Sequence, residues 1–209
     1  MHAPDQHIIF IVSAPSGAGK TTLVRALLEQ VKGLSTTVSH TTRAKRPAEV
    51  EGKHYYFVEH HHYHALREQS EFLEYADVFG HHYATSKQEL KRLLVGGDVI
   101  LDIDWQGALQ IRELFGARVV SIFILPPSLA VLQQRLEARA QDDDAVIGKR
   151  MAAARAEISH YHDFDYLVVN DHFADALQSL VAIIQAERLT MERQAKAQTA
   201  LISELLIGG

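Results

Sequence analysis

The sequence contains no cysteine, which excludes disulfides, thiolate catalysis and cysteine-ligated metals and suits a reducing compartment. No low-complexity tract and no repeat at a solenoid period is present. No apolar run approaches the roughly 20 residues of a membrane helix. The first such run, Ile8 to Val12, is too short for a signal-peptide core and follows Asp5 instead of a basic stretch. The expectation is therefore a soluble, cytoplasmic protein with no membrane partner. Positive charge is also scarce: the formal net charge is −5, which argues against a general nucleic-acid binder. What is there is ordinary for a globular chain. Of 209 residues, 47% are hydrophobic and 22% charged, and the length suits one domain.

Residues 8–13, IIFIVS, form a β-branched apolar run without amphipathic period, as in a strand buried on both faces of a parallel sheet. A glycine-rich turn and a helix over 21–30 follow. Val99 to Asp104 and Val119 to Leu125 read as further buried strands, the second stopped by Pro126 and Pro127, and Tyr166 to Asn170 as a fourth. Residues 35–86 differ in character. They are polar, aromatic and histidine-rich, and read as an inserted β-rich unit with its own helix over 61–69, followed by a helix over 87–95. Residues 128–139 and 144–160 read as charged helices around the acidic loop 141–144, and a long helix with a break near its end is predicted from Phe173. Strands alternating with helices predict an α/β fold with a mainly parallel sheet.

The strongest local motif is Ala14-Pro15-Ser16-Gly17-Ala18-Gly19-Lys20-Thr21. It fits GxxxxGK[ST] everywhere but at Ala14, and it has the strand–loop–helix setting that a phosphate-binding loop requires. Gly17 and Gly19 let the backbone curl so that N–H groups point inward at phosphate oxygens. The helix N-terminus adds partial positive charge. With Thr22, these residues are the candidate ATP site: Lys20 reaches the β- and γ-phosphates, and Thr21 offers its hydroxyl to Mg²⁺. Asp102 and Asp104 alternate along a strand, so both are expected on one face near its C-terminal end, where α/β sheets place ligands. Asp102 is the candidate for holding Mg²⁺, partly through water; capping a neighbouring helix is the competing role for either residue.

Further segments narrow the substrate. They read Ser39-His40-Thr41-Thr42-Arg43-Ala44-Lys45-Arg46, Glu49 to Tyr55, Phe72-Leu73-Glu74, Gly80-His81-His82-Tyr83-Ala84-Thr85-Ser86, and Leu101 to Gly107. In this order and spacing, from about Ile8 to Glu187, the chain closely resembles the guanylate kinases. The resemblance implies a single domain with a P-loop NTPase core (1–38, 87–127 and 156–209), an inserted GMP-binding unit (39–86) and a helical lid (128–155). It implies transfer of the γ-phosphoryl group of ATP to GMP and dGMP, with Mg²⁺. Arg43 and Arg46 would grip the GMP phosphate, since guanidinium forks match phosphate oxygens. Tyr55 and Tyr83 would add donors, with Ser39 and Asp102 beside them. Glu74 would accept the N1–H and amine of guanine, and Thr85 and Asp104 would complete the base contacts; adenine, with an acceptor at N1, would be rejected. Arg135, Arg139 and Arg150 of the lid would close over the ATP phosphates, and Asn170 would lie near the adenine. The catalytic set would be Lys20, Arg43, Arg139 and Arg150.

Ala84, Ala138 and Ala140 stand where the family usually has glycine, so strain in a turn and a stiffer lid hinge are expected. Two other functions stay open here: a binding module that has lost catalysis, and a P-loop kinase for another small phosphate ester. The set Lys20, Thr21, Arg43, Arg46, Glu74 and Asp102 favours the enzyme. His60, His61, His62, His64, His81 and His82 fit no established zinc spacing and read as surface or structural residues. The apolar terminus Leu201, Ile202, Leu205, Leu206 and Ile207 reads either as folding back on the sheet or as the contact of a homo-oligomer.

Overall fold

The structure is a computed structural model that describes residues 7–139 and 144–207; the side chains of Arg139 and of residues 144–146 lie outside the described part, as do Ala140 and residues 141–143 of the acidic loop. In chain order, β1 (Ile9–Ser13) leads through the glycine-rich loop into α1 (Lys20–Gln30) and β2 (Leu34–Thr36). The next segment holds β3 (His40–Thr41), β4 (Tyr56–Phe57), α2 (His60–Glu68), β5 (Phe72–Val78), β6 (His81–Ser86) and α3 (Lys87–Leu93). Then come β7 (Asp98–Asp102), α4 (Trp105–Phe115), β8 (Val119–Leu125), α5 (Leu129–Arg139) and α6 (Asp144–Ile158). β9 (Tyr166–Val169), α7 (Phe173–Arg188), α8 (Met191–Ala197) and α9 (Thr199–Ile207) complete the chain.

The central sheet runs β2-β7-β1-β8-β9, with every neighbouring pair parallel. Helices cover both its faces, so β1 is buried at every position. Successive side chains point to opposite faces. Phe10 and Val12 pack with Leu23 and Leu27 of α1 and Leu180 and Ile184 of α7. Ile9 and Ile11 pack with Leu90 of α3 and Ala108 and Ile111 of α4. Burying one such large side chain contributes about 1.5–3 kcal/mol relative to leaving it exposed. Register places Val12 beside Asp102, so the phosphate loop and Asp102 emerge together at the C-terminal end of the sheet.

A second sheet, β4-β3-β6-β5, is built on the β5–β6 hairpin, in which Val78 pairs with His81. Its two-residue turn holds Phe79 at φ 51° and Gly80 at φ 77°, the positive pair that matches strand twist. Tyr63 of α2 packs on Phe72 and Ala84 beneath this sheet. Ala84 pairs regularly with His40 and Tyr75 and has no positive φ, so the strain expected there does not arise. α5 and α6 meet through Leu132, Leu136 and Ala154.

Three sequence expectations change. The strand read over 99–104 ends at Asp102, because Asp104 turns away to cap α4; its carboxylate accepts from the Gly107 N–H at 2.9 Å, the role aspartate favours at a helix start. Asp102 and Asp104 therefore do not share a strand face. α4 and β2 are both additional to the pattern reading. The C-terminal helix is divided into α7, α8 and α9, with breaks at Leu189–Thr190 and Gln198. Among the described residues, no helix is long and apolar enough to cross a membrane.

Candidate functional site

The phosphate loop turns directly out of β1. Gly17 and Gly19 adopt φ 92° and 93°, and Ala18 N–H donates to Pro15 C=O at 3.1 Å. Ala14 has no positive φ, which is why alanine serves at that position. Gly19 precedes α1, and no side chain caps the helix, so its first N–H groups face the loop. Gly19 is also required by space, since a Cβ there would come 2.4 Å from Asn170 Nδ2. Asn170 is buried and donates to Ala18 C=O at 2.7 Å, so it braces the loop. Arg135 donates to Asn170 C=O at 3.3 Å and to Ala18 C=O at 3.5 Å. Gly17, Gly19, Thr22, Arg135 and Asp171 line an open cleft of about 360 Å³ here.

Lys20 Nζ lies 2.7 Å from Asp102 Oδ1 and donates to Ile103 C=O at 2.8 Å. Thr21 Oγ1 donates to Asp102 Oδ2 at 3.5 Å. A hydroxyl and a carboxylate side by side form an all-oxygen donor pair, which fits Mg²⁺. One participant has no counterpart in the sequence reading. Glu157 of α6 accepts from the Ser16 N–H at 3.2 Å. Burial raises its pKa, with Ser16 N–H and Lys20 pulling the other way. A carboxylate oxygen thus occupies a loop donor suited to a phosphate oxygen, across 141 residues of sequence that no local motif links.

The second pocket is built around Glu74. A register shift between Phe72 and Glu74 lets Phe72, Leu73 and Glu74 all be buried in succession, as a β-bulge re-aims side chains. Burial pushes the Glu74 carboxyl up to about 7, and Asp104 adds to the rise, while Thr85 and Lys20 oppose it. Thr85 pairs with Glu74 in the sheet, and its hydroxyl is buried beside the carboxylate. The Glu74 carboxylate lies against the first turn of α4: a Cβ on Gly107 would meet its Oε2 at 2.4 Å. Asp104 also accepts from Gln106 Nε2 at 3.0 Å.

Beside this pocket, Arg43 binds Glu49 through two nitrogens, at 2.6 and 3.1 Å. Its guanidinium lies 5.5 Å from the Tyr55 ring centroid, and Tyr55 meets Tyr83 edge-on at 5.8 Å. Burial pushes the Tyr55 phenol well above its usual range, with Asp102 and Tyr83 adding to it; this unit therefore sits close to the phosphate-loop carboxylate. The fold brings together Lys20, Thr21 and Asp102; Gly19, Arg135 and Asn170; Glu74, Thr85 and Asp104; and Arg43, Tyr55 and Tyr83. Ser39 precedes β3 and accepts from Tyr56 N–H through its carbonyl. Arg46 is exposed, its backbone N–H on Glu49. Arg150 is half-buried on α6, and the Arg139 side chain lies outside the described residues.

A family model described as guanylate kinase matches residues 6–187. A guanylate kinase of Salmonella typhimurium is 53% identical over 204 residues, which cover 96% of this chain and 98% of the relative. One of Coxiella burnetii is 51% identical over 199 residues, covering 95% and 96%. The crystal structure of guanylate kinase from Anaplasma phagocytophilum matches with a TM-score of 0.76 at 34% identity, over 90% of this chain and 89% of that one.

Proposed function

The chain belongs to the guanylate kinase family and transfers the γ-phosphoryl group of ATP to GMP, and we propose that its residues divide this work as follows. The core (1–38, 87–127 and 156–209) holds ATP, the unit over 39–86 holds GMP, and 128–155 acts as a lid. The loop from Ala14 to Thr22 receives the ATP phosphates through the backbone N–H groups that follow Pro15, and Lys20 moves from Asp102 to the β- and γ-oxygens. Arg135 closes over the ATP phosphates from the lid, and Asn170 lies on the adenine side. Thr21 and Asp102 would hold Mg²⁺, partly through water, and the ion would neutralise phosphate charge.

GMP lies with its phosphate among Arg43, Arg46, Tyr55 and Tyr83, near Ser39 and Asp102. Its guanine donates N1–H and the amine to Glu74, with Thr85 and Asp104 completing the edge. A GMP phosphate oxygen is already a nucleophile, so no general base is assigned. Positioning and charge neutralisation by Lys20, Arg43, Arg139 and Arg150 supply the rate. The contacts named are to base and phosphate, so dGMP is a substrate as well. The cysteine-free composition suits a cytoplasmic setting.

The observation that carries the acceptor assignment is the buried Glu74 carboxylate beside the buried Thr85 hydroxyl. A coupled ADP-release assay with GMP, dGMP, AMP, CMP and UMP tests it. Turnover of GMP and dGMP well above the rest is expected; AMP turnover equal to GMP would remove Glu74 from base selection. Leu205, Leu206 and Ile207 of α9 are 73%, 80% and 81% exposed, so the described residues do not cover them by folding back. A second copy of the chain covers α9 in a homo-oligomer.

A further inference from the structure

The histidines of α2 serve neither the phosphate loop nor the guanine pocket. His60 and His64 are four apart and share one helix face. The short β5–β6 hairpin carries a third histidine to that face: the His82 ring centroid lies 5.5 Å from that of His60 and 5.3 Å from that of His64. One ring nitrogen from each of the three lies within 4.8 Å of the other two. His82 is held in place. Its Nδ1 pairs with Asp77 Oδ1, its ring stacks on Tyr63 at 4.9 Å and 17°, and its backbone N–H donates to Thr42 Oγ1 at 2.9 Å.

We propose that His60, His64 and His82 form a binding site for a divalent transition metal, with Zn²⁺ as the reference ion and water in the fourth position. Three imidazoles select Zn²⁺, Ni²⁺ or Cu²⁺ over the hard, oxygen-seeking Mg²⁺. The Asp77–His82 pair is the carboxylate–histidine arrangement that fixes tautomer and ring orientation in such sites, leaving Nε2 to bind. Zinc–nitrogen bonds of about 2.0–2.1 Å in a tetrahedron bring the nitrogens to about 3.3 Å from one another. His60 and His64 are exposed on α2, so small rotamer changes there close the remaining distance. The ion ties α2 to β6, the strand that also carries Tyr83 and Thr85, and so stabilises the unit over 39–86 by linkage.

The test is calorimetric titration of Zn²⁺ into the full chain without nucleotide or Mg²⁺. About one strong site per chain is expected. His82→Ala and the His60→Ala/His64→Ala double variant should weaken it by tenfold or more, and Asp77→Asn by about 10–100-fold. The His61→Ala/His62→Ala control should bind as wild type. Zn²⁺ should raise the melting temperature of wild type and control but not of the ligand variants. Absence of strong binding overturns the proposal. So does binding that survives in His82→Ala and the double variant, which would place the ion at Thr21 and Asp102, or binding lost in the control. If His82→Ala does not fold, the surface double variant decides.

Discussion

Replacing Glu74 with glutamine keeps the shape of the side chain and removes its charge, and the pocket sets the size of the effect on stability. Burial, with Asp104 adding to it, raises the carboxyl from an ordinary 4.5 to about 7, which corresponds to about 3 kcal/mol between its two protonation states. The folded-state value lies above the unfolded one, so between pH 4.5 and 7 the folded chain keeps a proton that the unfolded chain has released. The stabilising contribution is therefore complete below pH 4.5 and is lost as the pH rises to 7. Glutamine has no ionised form to bury. At pH 8, Glu74→Gln should be more stable than wild type by up to about 3 kcal/mol, with each kcal/mol worth about 2–4 °C in melting temperature at this size. The advantage should shrink toward pH 5. In the same protein, an amide donor replaces one acceptor of guanine, so kcat/KM for GMP should fall about tenfold or more, the 1.4 kcal/mol of a lost charged contact. Thermal melts at pH 5 and pH 8 without nucleotide, with a coupled assay at pH 8, read both effects. A stability difference that is zero, or the same at both pH values, would refute the buried-carboxylate argument. An unchanged kcat/KM for GMP would refute the recognition role.

Gly107→Ala should raise KM for GMP about tenfold and leave KM for ATP unchanged, because the added Cβ would sit 2.4 Å from Glu74 Oε2; the gain of roughly 1 kcal/mol usual for alanine over glycine within a helix should not appear in thermal melts. Glu157→Gln should lower KM for ATP by about threefold or more, since a neutral amide competes less well than a carboxylate for the Ser16 N–H; a raised KM in an ATP titration would instead give Glu157 a part in holding the nucleotide. Deleting residues 198–209 should lower the mass seen by light scattering and leave kinase activity intact. A full-length monomer at tens of micromolar would contradict the α9 contact.

Features written in contiguous residues were legible in the sequence. β1 declares itself by an uninterrupted apolar run, and the phosphate loop by spacing. Features made by distant pairing were not. β2 is only Leu-Ser-Thr and becomes a strand because β7 lies alongside it. α4 opens with Trp-Gln-Gly, and glycine in a first turn weakens a helical pattern, yet Asp104 caps it and the missing Cβ makes room for Glu74. The same limit hid Glu157 from Ser16. It also hid His82 from His60 and His64, whose spacing shows a shared helix face while His82 arrives on β6.

Three of the groups assigned to phosphates have carboxylate partners within the chain. Lys20 is held by Asp102, Arg43 by Glu49, and the Ser16 N–H by Glu157. A buried or half-buried cation without such a partner would lose the balance between desolvation and attraction. Each pair therefore keeps its donor ordered and directed at the site. In the proposed division of work, nucleotide binding becomes an exchange of one anion for another, with little new side-chain ordering to offset. Exchange also discriminates. A ligand with a single weak negative charge gains no more from Lys20 or Arg43 than the resident carboxylate already does. A phosphate brings more oxygens and more charge to the same donors, and Lys20 and the loop N–H groups can share one polyphosphate. The carboxylates around the loop thus raise the threshold for small anions while leaving ATP and GMP, each engaging several donors at once, able to displace them.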